Sequence, residues 1–146
     1  MNPHKLDEKL LVCSQITPED IDQAASAGVR LIINNRPDGE EPGQPLSADL
    51  KAKADALDIA YRHIPISGGN FDDASVMAFG DALASADGPT LAFCRTGTRA
   101  TTLWALSQAG SRPTAAILGA ANAAGYDLSQ LRDRIEATGA SGPDGP

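Results

Sequence analysis

The sequence predicts an α/β domain built on a mainly parallel sheet of four to five strands flanked by helices. Three observations predict it. Short apolar runs alternate three times with helical stretches, the pattern of βαβ units joined by right-handed crossovers. The runs at 29–34, 59–66 and 90–93 are apolar nearly throughout, as strands covered on both faces are. The length of 146 residues suits one domain, expected over 1–138, with a Gly/Pro-rich tail at 139–146 expected to fray.

Leu10–Cys13 is a short strand-type run. Thr17 then reads as a helix N-cap, with Pro18 at N1 and Asp20 at N3. Ile21, Ala24 and Ala25 recur at helical spacing, and Gly28 is the stop. Val29–Asn34 is β-branched and reads as a buried strand. Asn35–Pro45 holds turn formers and charges and is a long loop. Ordered loops of that length are usually functional or mobile. Ser47 caps a helix running to Leu57, with Leu46, Leu50, Ala54 and Leu57 on one face. Ile59–Ile66 is a third buried strand. Ser67–Asn70 is a loop, and Asp72 or Asp73 caps a helix carrying Val76, Phe79, Gly80 and Leu83 inward. After the Asp87-Gly88-Pro89 turn, Thr90–Phe93 is the fourth strand, with Cys94 at its carboxyl end. Helices follow over Thr98–Gln108, from Thr114 toward Ala124, and over Ser129–Ala137, the last capped at Asp127 or Ser129.

Composition narrows the function. The formal net charge is −7, which repels phosphodiester backbones, so no nucleic-acid partner is expected. Aromatics at 4% leave little for base stacking. Two cysteines cannot make a disulfide framework. The charged start has no apolar core of a secretory signal, and no apolar run approaches the roughly 20 residues of a membrane span. A cytoplasmic protein without a membrane partner is the expectation. Nothing in the sequence indicates oligomeric state.

In parallel sheets, function gathers beyond the carboxyl ends of the strands. Asn34–Pro45, Ser67–Asn70 and Cys94–Arg99 would meet there. Cys94-Arg95-Thr96-Gly97-Thr98-Arg99 is the chemical centre. Backbone N–H groups and the positive end of the following helix would curl around the sulfur. Arg99 adds a guanidinium able to hold an oxyanion by two hydrogen bonds. Both effects favour a thiolate, a nucleophile for phosphorus or sulfur. Gly97 permits the tight curl, and Thr96 and Thr98 offer hydroxyl donors. The plain alternative is that Cys94 is a small buried hydrophobe. An arginine pair in a tight turn argues against it, because such a pair needs water or an anion.

Phe93–Arg99, the Asn34–Glu40 loop and His63-Ile64-Pro65-Ile66 together resemble the phosphatase-like domain of the beta-lactamase hydrolase-like proteins. That is a bacterial branch of the protein tyrosine and dual-specificity phosphatase superfamily. The resemblance covers roughly Leu10 to Leu131. It implies a cysteine-phosphatase-like sandwich, catalysis by Cys94 with Arg99, an anion-binding loop at Arg95, Thr96, Gly97 and Thr98, and neither metal nor other cofactor.

Three departures from the wider superfamily stand out. That superfamily places five residues between its Cys and Arg, whereas four stand here, which resembles the loop of rhodanese-type sulfurtransferases. Where dual-specificity phosphatases carry a general-acid Asp, this chain has Ser67-Gly68-Gly69, and Asp72 and Asp73 suit helix capping. Ala100 replaces the expected hydroxyl residue after the Arg, leaving Thr101 or Thr102 as substitutes.

Arg36, Asp38 and Ser67 are candidate substrate-binding residues. For Arg36 and Asp38, a loop-internal ion pair fixing the Pro37–Gly39 turn is an equal alternative. Glu40 and Glu41 read as solvated. Asn34 and Asn35 read as loop anchors, His63 as a hydrogen-bonded structural residue, and Cys13 and Trp104 as packing. Three functions remain: a phosphatase-like hydrolase, a sulfurtransferase carrying a persulfide on Cys94, and a non-catalytic oxyanion-binding module. The ligand is a small anion in each, a phosphate ester or a sulfane-sulfur donor for the two enzymes.

Overall fold

The structure is a computed structural model and describes residues 1–140. Five strands form one sheet in the order β1 (His4–Lys5), β2 (Leu10–Cys13), β5 (Thr90–Phe93), β3 (Leu31–Asn34), β4 (Ala60–His63). β1 runs antiparallel to β2, and the other pairings are parallel. β1 has two exposed residues and carries no apolar signal by which a sequence could reveal it.

Alternation along the strands builds two cores. Val12, Ile33 and Ala92 face α3 (Asp73–Ser85), α4 (Thr98–Ser107), α5 (Thr114–Ala123) and α6 (Arg132–Ala140). Cys13, Ile32, Leu91 and Phe93 face α1 (Pro18–Ser26) and α2 (Ser47–Ala56). Burying each large side chain such as Phe79 or Leu103 contributes about 1.5–3 kcal/mol. Trp104 is fully buried, and its Nε1 donates to Asp7 Oδ2 at 3.2 Å. No helix among the described residues is long and apolar enough to cross a membrane.

The caps show why helices start where they do. Thr17 and Asp20 form a reciprocal capping box at α1, with Pro18 in the first turn. Asp72, not Asp73, caps α3 by accepting from Ser75 N at 2.8 Å. At α2 the expected Ser47 cap is replaced. Leu46 is the N-cap residue, and Asp38 accepts the Ser47 N–H at 2.8 Å. The last helix opens with a 3-10 turn at Ser129–Leu131, where Ser129 N donates to Asp127 Oδ1. α6 includes residues 139 and 140, so the expected tail begins inside it, and 141–146 lie outside the described residues.

Two strands differ from expectation. Val29 closes off α1 through its N–H to Ala24 O, and β3 starts two residues later. The expected buried strand 59–66 is an edge strand of four residues, mostly exposed. Ile59, Ile64 and Ile66 are buried at its flanks, which supplies the apolar signal. Ile64 N and Ile66 N still bond to Asn34 O and Asn35 O beyond it. Cys13, expected on an edge-like strand, lies on β2 between β1 and β5.

Candidate active site

β5 is the central strand, so its carboxyl end is walled by β2 and β3. Cys13, Phe93, Asn34 and His63 stand in one register row there, and Cys94 follows Phe93. The chain then turns through Arg95-Thr96-Gly97 into α4. Gly97 has φ 96°, a left-handed conformation that an L side chain resists, and it is the residue before the helix.

Two carbonyls of this loop are tied outward. Arg95 O accepts from Gln15 N at 3.3 Å, and Thr96 O accepts from the Tyr126 hydroxyl at 3.1 Å. In a trans peptide the N–H points opposite to the C=O. Holding Thr96 O outward therefore turns the Gly97 N–H inward, where it donates to Cys94 Sγ at 3.0 Å. Cys94 is fully covered. Of the threonine hydroxyls expected to serve sulfur or ligand, Thr96 donates elsewhere, and Thr98 acts only as an acceptor. Thr96 Oγ1 donates to Thr98 Oγ1, Thr101 Oγ1 to Gly97 O and Thr102 Oγ1 to Thr98 O.

Arg99 sits in the first turn of α4 at the mouth of this loop. Its Nη1 donates to Ile66 O at 2.7 Å and to Glu40 Oε2 at 2.9 Å, and its Nη2 donates to Glu40 Oε1 at 2.8 Å. Glu40 Oε1 also accepts from Arg36 Nε at 2.9 Å. Arg36, 3% exposed, donates further to Glu41 and Gln15. Glu41 is paired in turn with Arg95 at 2.9 Å. The result is a continuous chain of charges, Arg95–Glu41–Arg36–Glu40–Arg99. The Arg99 guanidinium, and then Arg36, hold the Glu40 carboxyl well below its ordinary range, at about 2. Burial pushes the Cys13 thiol up to about 12.

The loop after β3 is fixed from within. Asn34 Oδ1 accepts from Arg36 N, Asn35 Nδ2 donates to Ile64 O, and His63 Nε2 bonds with Arg36 O. These three residues are structural, as their sequence context suggests. An open cleft of about 380 Å³ is lined by Arg36, Glu40, Glu41, Gly68, Arg95 and Arg99. The sequence-predicted Cys94, Arg95, Gly97, Arg99 and Arg36 are therefore brought together. Ser67 stands exposed, and its neighbour Gly68 lines the cleft. Asp38 accepts from the α2 amide and has no bond to Arg36, so the loop-internal Arg36–Asp38 ion pair does not form. Glu40 and Glu41, read as solvated, are the true partners of Arg36. The four-residue spacing of Arg36 and Glu40 was an available signal; the reach of Glu40 to Arg99, 59 positions away, was not. Gln15 and Tyr126 carried no signal.

A cysteine after the central parallel strand, a glycine-turned loop and an arginine on the next helix define the fold of the cysteine phosphatases. The chain belongs to the phosphatase-like domain family of the beta-lactamase hydrolase-like proteins, whose sequence profile matches residues 4–111. A beta-lactamase hydrolase-like protein of Agrobacterium fabrum is 40% identical over 109 residues, covering 75% of this chain and 25% of the relative. The chain spans about a quarter to a third of the length of the curated relatives it matches. A provisionally assigned phosphatase from Neisseria meningitidis superposes with a TM-score of 0.82 at 36% identity, over 92% of this chain and 96% of that one. The core catalytic domain of the S. cerevisiae PP-IP phosphatase superposes at 0.67 with 17% identity, over 93% and 84% of the two chains. At that identity the likeness is one of fold.

Proposed function

We propose that the chain is a phosphatase-type hydrolase acting on a small phosphorylated substrate, with Cys94 as nucleophile and Arg99 as the phosphate-binding guanidinium. The observation that carries this reading is the Gly97 N–H held on Cys94 Sγ at the start of α4, with Arg99 in the first turn of that helix. In the first step an S–P bond forms and the P–O bond to the leaving group breaks. The developing charge lies on oxygens facing the loop amides and Arg99. In the second step a water oxygen attacks phosphorus, its proton passes to a phosphate oxygen or to solvent, the S–P bond breaks, and thiolate and inorganic phosphate are released.

The carboxylates near the cleft are poorly placed to protonate a leaving group. Asp38 and Asp72 serve as helix caps, Glu41 is paired with Arg36 and Arg95, and Glu40 is held ionised between Arg36 and Arg99. An absent general acid costs about 10²–10⁴-fold in rate. Aryl phosphates, whose leaving groups need no proton, should therefore outrun alkyl phosphates.

The test gives purified protein an aryl phosphate and, separately, thiosulfate with cyanide, each beside Cys94→Ser. Phosphate release that vanishes in the variant supports the proposal. Thiocyanate formation that depends on Cys94 would replace it with the sulfurtransferase reading, which the comparisons do not favour.

A further inference from the structure

Three nitrogens of one buried guanidinium lead to the Cys94 loop by separate routes. Arg36 Nε donates to Glu40 Oε1 at 2.9 Å, and Glu40 grips Arg99 with both of its oxygens. Arg36 Nη2 donates to Glu41 Oε1 at 2.7 Å, and Glu41 pairs with Arg95 at 2.9 Å. Arg36 Nη1 donates to Gln15 Oε1 at 3.0 Å, and the backbone N–H of Gln15 holds Arg95 O at 3.3 Å. Arg36 is itself anchored to the sheet. Its N–H donates to Asn34 Oδ1 at 2.8 Å, and its carbonyl bonds with His63 Nε2 at 2.9 Å, at the paired ends of β3 and β4.

Stability does not account for this arrangement. Glu40 and Glu41 are 28% and 49% exposed, and ion pairs with partners so exposed contribute little to folding. What a buried guanidinium supplies is direction, because its planar fork sends donors along fixed lines and an ammonium has no such shape. Arg99 uses Nη1 for Ile66 O and Glu40 Oε2, and Nη2 for Glu40 Oε1. Its Nε takes part in none of these bonds, so the Nε–Nη2 edge is left for an anion. A side chain already held in its binding pose gives up less rotamer freedom when that anion arrives.

We propose that Arg36 is a positioning residue for the hydrolase: through Glu40 it fixes the side chain of Arg99, and through Glu41 and Gln15 it fixes Arg95, so that both flanks of the Cys94 loop are set before a phosphoryl group binds. The inference rests on the roles of Cys94 and Arg99 given above. Arg36 acts on the reaction through these neighbours.

The plain alternative is a charge that balances two carboxylates. Arg36→Lys separates the two, since it keeps the charge and loses the fork. Gln15→Ala is a second probe. It removes one of the three routes, leaves the residue 15 backbone N–H on Arg95 O, and alters neither Glu40 nor Arg99. Wild type, Arg36→Lys, Arg36→Met and Gln15→Ala are titrated calorimetrically with inorganic phosphate and assayed for kcat/KM on an aryl phosphate. Urea unfolding checks that each variant is folded.

Arg36→Lys and Arg36→Met should each bind phosphate about tenfold more weakly, the equivalent of one misaligned charge-assisted bond, and lose at least as much in kcat/KM. Gln15→Ala should bind phosphate about threefold more weakly. Arg36→Lys at wild-type affinity leaves only the charge-balancing role and overturns the inference. Gln15→Ala at wild-type affinity overturns it as well, and that comparison decides the matter even if an Arg36 variant misfolds. Phosphate binding that weakens as expected without aryl phosphate turnover in wild type overturns the proposed hydrolase alone. Cys94-dependent turnover with binding and kcat/KM unshifted in the variants overturns this inference alone.

Discussion

Replacing Gly97 by alanine tests the loop geometry directly. At φ 96° a Cβ would stand 2.1 Å from the Tyr126 hydroxyl oxygen and 2.9 Å from its ring carbon Cζ. Two penalties follow. Holding an L-residue in the left-handed region costs about 1–2 kcal/mol. Crowding against a packed side chain costs about 1–3 kcal/mol. The sum is about 2–5 kcal/mol, a large part of the stability of an ordinary domain. Tyr126 is a half-buried side chain that can swing away, at the expense of its bond to Thr96 O. That bond orients the Gly97 N–H, so relief of the clash loosens the grip on Cys94. Equilibrium urea unfolding reads the first effect, with the buried Trp104 as the fluorescent probe. A double-mutant cycle with Tyr126→Ala splits the penalty, because removing the ring relieves the crowding and leaves the φ strain. Gly97→Ala within about 0.5 kcal/mol of wild type would refute the reasoning. So would a cycle with no coupling between the two positions.

Arg36→Met removes the partner that Glu40 and Glu41 share; both are partly exposed and keep Arg99 and Arg95, so stability should fall by about 1 kcal/mol, read as a lower urea midpoint. Asp38→Ala frees the Ser47 amide at the start of α2 and should lower stability by about 1 kcal/mol in the same assay. Glu40 is held at about 2, below its unfolded value of 4.5, so its pairing stabilises the fold fully above that unfolded value. The gain is lost as pH falls from 4.5 toward 2, so the gap in urea midpoint between wild type and Glu40→Gln should close across that window. The pair is partly exposed, which limits the gap to about 1 kcal/mol. Cys13, pushed up to about 12 by burial, should resist iodoacetamide at neutral pH in native protein, and rapid labelling there would contradict its packing.

The parallel sheet and the position of Cys94 were legible because local signals agree with the tertiary structure. Thr17-Pro18 caps where it should, and Thr90–Phe93 is apolar because it is central. Ile59–Ile66 misled because its isoleucines are buried beside the strand and not within the ladder. β1 pairs two polar residues through backbone alone, and backbone pairing leaves no mark on side-chain pattern. The cluster at Cys94 and Arg99 was readable from the hexapeptide itself. The carboxylate opposite Arg99 was not, since acidic residues in a turn-rich loop read as solvated until the fold brings a distant guanidinium to them. Asp38 took the capping role expected of Ser47 for the same reason: the amide that needed a cap lay nine residues from the side chain that supplied it.

The tether on Thr96 comes from Tyr126, downstream of residues 4–111 that the family profile matches. Emerging from a ribosome, the polypeptide holds every strand of the described residues, and Cys94, well before that phenol arrives. Formation of the sheet and fixing of the Gly97 N–H on Cys94 Sγ therefore depend on segments that are made at different times.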